Sequence, residues 1–268
     1  MRREMELGWH KKAKAVALKK LPIVYQDDGV LVVDKPSGLS TQRDGTNKKE
    51  KDIVGMLAAF ADESDQVPRL VHRLDKGTSG LLMLAKTRRV AQQLGEMFRD
   101  GEINKTYHAV LQQIEGKESS IKWKEGSAGV ISVPLNDSTS KRTRVAKEDD
   151  ELAKSAQTMV RFMAVSESKD RALVELKPLT GRKHQLRVHC VHSLGGVIVG
   201  DDLYVPDHMR NGGFRRTRLH LHMSRLEWRQ VLVDGTQAGK QCVVKSPMDD
   251  TMKQTCVDCF GDRSLNRL

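Results

Sequence analysis

Val71-His72-Arg73-Leu74-Asp75-Lys76-Gly77-Thr78-Ser79-Gly80 runs directly into Leu81-Leu82-Met83-Leu84-Ala85. The second stretch is a short apolar run bounded by turn residues, which reads as a strand buried on both faces. The first is then the loop that feeds it, and it carries a single carboxylate, Asp75, between an arginine and a Gly-Thr-Ser-Gly run. A lone acid in a glycine-bounded loop at a strand edge is how a fold presents a nucleophile or general base to a cleft. Most loop aspartates only cap a turn or a helix, so the decapeptide needs support from the rest of the chain.

That support comes in blocks. Val32-Val33-Asp34-Lys35-Pro36-Ser37-Gly38-Leu39 precedes the loop, and Lys105-Thr106-Tyr107 follows it. Further on stand Lys154-Ser155-Ala156-Gln157-Thr158 and Thr180-Gly181-Arg182-Lys183-His184-Gln185-Leu186-Arg187-Val188-His189. The last block is Ile198-Val199-Gly200-Asp201-Asp202-Leu203-Tyr204. Together with the Asp75 decapeptide, these six blocks resemble, in order, the motifs of RNA pseudouridine synthases of the RluA family.

Composition agrees with a nucleic-acid partner. The 268 residues carry a formal net charge of +11. Residues 1–20 hold seven Lys/Arg against two Glu, and residues 176–230 hold ten Lys/Arg against four Asp/Glu; everything else is neutral in sum. A basic cluster beside a candidate site points to a polyanionic backbone rather than to a generic solubility surface. Arg215, Arg216 and Arg218 are its densest part. No apolar run approaches the roughly 20 residues of a membrane helix, and no secretory leader is visible. The first 20 residues are basic, but Glu4, Glu6 and the lack of Ser and Thr weigh against a transit segment. A cytoplasmic monomer is the expectation, with an organelle as the alternative compartment.

Local patterns give the elements. Ile23–Tyr25 and Val30–Asp34 read as strands joined by a hairpin at Asp28-Gly29. Residues 43–51 read as a polar loop, and Ile53–Ala61 as a short helix. Thr87 is suited to cap a helix whose Val90, Leu94, Met97 and Phe98 fall on one face, with Gly101 ending it. Residues 104–111, 158–165 and Arg171–Lys177 read as strands, and residues 115–157 as polar and irregular apart from pieces such as Val130–Val133. A helix follows Gly181 and ends at Gly195-Gly196. Val231–Val233 and Gln241–Lys245 form a last hairpin. Strands and helices mix without regular alternation, which argues against a doubly wound parallel sheet and predicts an α/β fold of the α+β type. The resemblance implies the pseudouridine synthase fold: a large mixed, mostly antiparallel sheet, flanking helices and a central RNA-binding cleft. The organisation expected is a basic extension over 1–20, a catalytic domain over 21–250 and a C-terminal tail over 251–268.

By the same resemblance, Asp75 is the catalytic carboxylate, Arg187 its guanidinium partner, and Tyr107 a ring that stacks on the uracil. A fixed guanidinium favours the ionised form of an acid in a water-poor pocket. Pseudouridylation breaks the N1–C1′ bond of a uridine and re-forms the link through C5. Attack on the ring, attack at C1′ and elimination at the sugar are all open to one carboxylate. The target must be flipped out of the stack, and Arg73 is suited to fill the space it leaves. Lys35, His72, Arg182, Lys183, His184, Gln185 and Leu186 complete the substrate-binding set. No cofactor and no metal is implied; structured RNA, tRNA or rRNA or both, is the partner.

Three rival classes fit less well. Six of the nine histidines, with His220-Leu221-His222 as a ligand-like pair, suggest a metallohydrolase, but no HExxH and no convergent acid accompany them. Cys256 and Cys259 have zinc spacing without a second pair, and read as reduced thiols in a flexible tail. A retaining glycosidase needs a second acid about 5 Å from the first, which the motifs do not offer. A silent RNA-binding factor on the same fold is the remaining alternative, and the presence of Asp75, Tyr107 and Arg187 argues against it.

Overall fold

The computed structural model describes residues 20–42, 52–61, 66–138, 142–210, 217–262 and 264. The basic extension to residue 19, the loop at 43–51, Arg215 and Arg216 lie outside the described residues. Strands β1 (Ile23–Gln26) and β2 (Val30–Lys35) are followed by helix α1 (Ile53–Met56) and a 3-10 turn, Leu57–Phe60. Next come β3 (Arg69–Leu70), β4 (Ser79–Ala85) and α2 (Arg88–Asp100). β5 (Asn104–Gln113), β6 (Ala128–Ser132), β7 (Leu135–Asn136), β8 (Arg144–Val145), β9 (Gln157–Val165) and β10 (Arg171–Pro178) follow. The chain ends with α3 (Gln185–Ser193), β11 (Gly196–Ile198), β12 (Leu221–Val231), β13 (Gln237–Lys245) and α4 (Asp250–Phe260). The class is mixed α/β with a large, mostly antiparallel sheet. The chain divides into two compact units, Met1–Ile103 with Arg225–Ser246, and Asn104–Ser224 with Pro247–Leu268.

In the first unit, β2 and β4 pair antiparallel from Val30↔Ala85 to Lys35↔Gly80. All seven residues of β4 are buried, as its unbroken apolar run requires. The β1–β2 hairpin turns on Asp27, whose Oδ1 accepts the N–H groups of Gly29 (2.9 Å) and Val30 (2.6 Å). Thr87 caps α2 by accepting the Val90 N–H, and Gly101 closes it with a φ of 78°. Val90, Leu94 and Met97 form its buried stripe; each such side chain contributes about 1.5–3 kcal/mol when buried. The first strand of the final hairpin is not Val231–Val233: β12 runs from Leu221 to Val231, Leu232 and Val233 lie past its end, and β12 and β13 pair from Arg225↔Lys245 to Val231↔Gln237.

In the second unit, β10 lies between β5 and β9, antiparallel to both, and β6 extends the row beyond β9. Residues 251–268, read as a tail, include most of α4. Asp249 caps that helix by accepting the Met252 N–H. Met252 and Cys256 then pack into a core cluster with Val110, Met163, Leu173 and Val199. Asp249, Met252, Cys256 and Phe260 have the spacing of a capped amphipathic helix, and that explains the order.

Candidate active site

The Asp75 loop is held by the segment that ends β2. Lys35 is fully buried, and its Nζ donates to the carbonyls of Pro36 (3.0 Å), Leu39 (2.8 Å) and Lys76 (3.2 Å). Ser37 Oγ donates to the Gly77 carbonyl (2.7 Å), and the Gly38 N–H donates to that of Lys76 (2.8 Å). Thr41 Oγ1 donates to the Leu74 carbonyl (2.7 Å) and accepts the Leu74 N–H (3.2 Å). Inside the loop, the Thr78 N–H donates to the Asp75 carbonyl at 3.1 Å. Gly80, at φ 104°, lets the chain enter β4, whereas Gly77 is not among the described glycines with positive φ. The loop backbone is thus fixed on both sides of Asp75, which leaves that side chain half-buried and Arg73 exposed.

Two expectations change here. Lys35, read as substrate-binding, is withdrawn from solvent and acts as a strap on the loop. An ammonium in a fully buried position is stable only when its donors are used, and three backbone carbonyls do that. His72 is likewise a structural group. Its Nε2 accepts the Met83 N–H (2.9 Å), and its ring stacks on Phe98 with centroids 4.5 Å apart.

The second unit holds the arginine motif. Gln185 is buried and uses its whole amide: Oε1 accepts from Thr180 Oγ1 (2.8 Å) and the Arg182 N–H (3.0 Å), while Nε2 donates to the Gln157 carbonyl (2.9 Å) and Thr158 Oγ1 (3.0 Å). Thr158 Oγ1 lies 2.9 Å from His189 Nδ1, and His189 Nε2 lies 3.2 Å from the Val133 carbonyl. The directions close consistently: Thr158 donates to Nδ1, and Nε2–H donates to the carbonyl. Burial holds His189 below its ordinary pKa and so neutral. Gln185, read as substrate-binding, is therefore a tie between two motif blocks, with no amide hydrogen or lone-pair direction to spare.

Around this tie, the residues of the polar segment grip the motif. Arg182 Nε donates to the Ser155 carbonyl at 2.9 Å. Asp137 accepts from Lys154 Nζ (2.6 Å) and the Lys183 backbone N–H, which hold its carboxyl below the usual range. His184 sits at φ 52°, ψ 16° before α3, a left-handed conformation that costs a non-glycine roughly 1–2 kcal/mol. It brings Nδ1 to 2.9 Å from the Tyr204 hydroxyl. That hydroxyl also accepts the Thr143 N–H (2.9 Å) and donates to the Thr143 carbonyl (3.0 Å). Lys183 is exposed, and Leu186 is buried.

Arg187 is almost fully buried on α3. Its Nε and Nη2 donate to the two carboxylate oxygens of Asp201 at 2.8 and 2.6 Å. Asp201 lies inside the sixth motif block, but residue type alone does not mark it as an arginine partner. Tyr107 is buried on β5, opposite Leu176 of β10. Lys105, two residues earlier on the same strand, is held below its ordinary pKa by burial.

Among the described residues, no group of three or more His, Cys, Asp or Glu side chains is placed to hold a metal ion. His220 instead meets the Arg218 carbonyl (2.8 Å) and Thr255 Oγ1 (2.9 Å). Arg218, read as part of an RNA-facing cluster, turns inward onto Asp249, with Nε 2.6 Å from Oδ2. Cys256 and Cys259 lie on α4 rather than in a flexible tail, and burial pushes the Cys256 thiol up to about 12. No described helix is long and apolar enough to cross a membrane.

The mixed α/β class and the large, mostly antiparallel sheet are those of the pseudouridylate synthase fold. The solved structure of human RNA pseudouridylate synthase domain containing 4 matches with a TM-score of 0.68 at 25% identity, covering 97% of both chains. The family model described as RNA pseudouridylate synthase matches residues 29–192, and the chain belongs to that family, as an RNA pseudouridine synthase of the RluA type. Among its relatives is a tRNA pseudouridine synthase C of Vibrio cholerae, 35% identical over 78% of this chain and 85% of that one. Another is RNA pseudouridine synthase 4, mitochondrial, of Arabidopsis thaliana, 35% identical over 68% of this chain and 40% of that one.

Proposed function

We propose that this enzyme isomerises uridines of tRNA, with Asp75 as the catalytic carboxylate, Arg187 as the catalytic guanidinium, and Tyr107 as the ring that supports the uracil. The observation that carries the reading is the strapping of residues 74–77, where five hydrogen bonds to residues 35–41 fix the backbone around one half-buried acid. A nucleophile or base gains rate from such fixed geometry. The tRNA substrate is supported by the name of the Vibrio relative. Arg73, exposed beside Asp75, is suited to occupy the gap left by a flipped base. Arg182, Lys183 and His184 are proposed as contacts to RNA. The enzyme is proposed to act as a cytoplasmic monomer.

The test is pseudouridine mapping. Wild-type protein and Asp75→Asn are incubated with total tRNA and, separately, rRNA from a host lacking the enzyme. Sites formed only by the wild type, with RNA affinity retained in the variant, are expected on tRNA. Equal turnover by Asp75→Asn rules out the carboxylate's role. Sites on rRNA alone rule out the substrate, and a folded wild type that binds RNA but forms no site points to a silent binding factor.

A further inference from the structure

Arg187 lies in a cradle built by one turn of chain, Asp201 to Tyr204. Asp201 is fully buried. Its Oδ1 accepts from Arg187 Nη2 and from the N–H groups of Leu203 and Tyr204, both at 3.0 Å, while Oδ2 accepts from Arg187 Nε. The Tyr204 ring lies beneath the guanidinium, 5.2 Å from Cζ to the centroid. The same Tyr204 is pinned through its hydroxyl to Thr143 and His184. Gly200, at φ 78°, lets the chain entering this turn pass against the Arg218 backbone, whose carbonyl oxygen a Cβ there would overlap.

We infer that Asp201 is a positioning residue for the pseudouridylation reaction, acting through Arg187. The fork-to-fork pair fixes the guanidinium plane, because two parallel hydrogen bonds remove rotation about its long axis. It uses two of the five N–H donors. Asp202 Oδ1 stands 3.6 Å from the same Nη2, and the Asp201 pair holds the remaining N–H groups in a set direction. The Tyr204 ring adds a second restraint, against the guanidinium face. An arginine on a flexible stem, by contrast, would have to be ordered anew at each turnover. The inference rests on the proposed role of Arg187.

Asp201→Asn isolates this function. The asparagine Oδ1 still accepts the Leu203 and Tyr204 N–H groups, while the amide nitrogen faces Arg187 Nε as a second donor. Single-turnover pseudouridine formation on total tRNA is measured for Asp201→Asn, Arg187→Lys and the double variant. Asp201→Asn is expected to lower the rate about 100-fold, the scale of an ångström-level misplacement, with RNA Kd changed less than about threefold. In the Arg187→Lys background the same change is expected to lower the rate less than about threefold further, because it acts through the group already removed. A wild-type rate for Asp201→Asn overturns the inference, as does an equal loss in both backgrounds. A wild-type rate for Arg187→Lys overturns the underlying role of Arg187 as well. If Asp201→Asn does not fold, Asp201→Glu decides. It keeps the compensating charge and moves the carboxylate by a methylene, so a folded protein with at least a tenfold loss is expected. Full activity in Asp201→Glu overturns the proposal.

Discussion

Replacing Lys35 by methionine separates two roles that the sequence cannot tell apart. Were Lys35 bound to phosphate, Lys35→Met would leave the fold intact and weaken RNA binding. Because it is a strap, the same change takes their ammonium donor from three carbonyls, those of Pro36, Leu39 and Lys76, now reached at 2.8–3.2 Å, while the Lys76 carbonyl keeps the Gly38 N–H. Hydrogen bonds to a charged group are each worth about 1.5–3 kcal/mol. Methionine recovers part of this by removing the desolvation cost of the charge. A net loss of about 3–5 kcal/mol remains. For a chain of this size that lowers Tm by roughly 10 °C. The assay is thermal unfolding alongside RNA binding at several salt concentrations. The expected result is the lowered Tm, a pseudouridylation rate reduced about 100-fold as the Asp75 loop loosens, and an unchanged slope of log K against log salt. A Tm within about 2 °C of wild type, with the slope reduced by about 0.9 as for one phosphate no longer neutralised, would refute the strap.

Two further outcomes follow from buried groups. Burial pushes the His108 imidazole down to about 4, against about 6.5 in the unfolded chain. The unfolded state therefore takes the proton first: stability is full above pH 6.5 and falls by up to about 3 kcal/mol as pH drops to 4. His108→Gln should flatten that acid limb in urea titrations at pH 7.5 and 4.5, and an unchanged difference between the two pH values contradicts it. Gln185→Met should cost about 2–4 kcal/mol by breaking four side-chain hydrogen bonds. Lys183→Ala, two residues earlier and exposed, should shift stability by less than about 0.5 kcal/mol yet weaken RNA binding; equal stability losses in the two variants would argue against the tie.

What the sequence made legible was local chemistry. Thr87, Gly101 and the turn before Val30 act through their own backbone neighbours, so a few adjacent residues are enough to place them. Direction was not legible. Lys35 and Gln185 sit in motifs where polar residues suggest a ligand, yet both face inward and serve the chain itself. Residue type states what a group can bond; only the fold states where it points. The start of β12 was hidden because His222 and Ser224 are buried, and a strand with polar residues inside lacks the expected alternation. The pairing of Arg187 with Asp201 depends on a 14-residue return of the chain, which no periodicity encodes. Helix α4 was legible in principle: its cap and apolar spacing were present, but the cysteine pair drew attention to metal chemistry instead.

The division of the chain has a consequence for how the enzyme is made. Each unit is interrupted: one is completed only by Arg225–Ser246, the other only by Pro247–Leu268. On the ribosome, neither can finish folding until these late segments have emerged. The strap, the loop and the arginine helix are all synthesised long before the strands and helix that complete their units. Such late, long-range closure slows folding and prolongs exposure of apolar strands. It also means that neither residues 20–103 nor residues 104–224 alone contain a whole unit. Shortening the chain before α4 therefore strips the second unit of Met252 and Cys256 and weakens the core around Val110 of β5, far in sequence from the deletion itself.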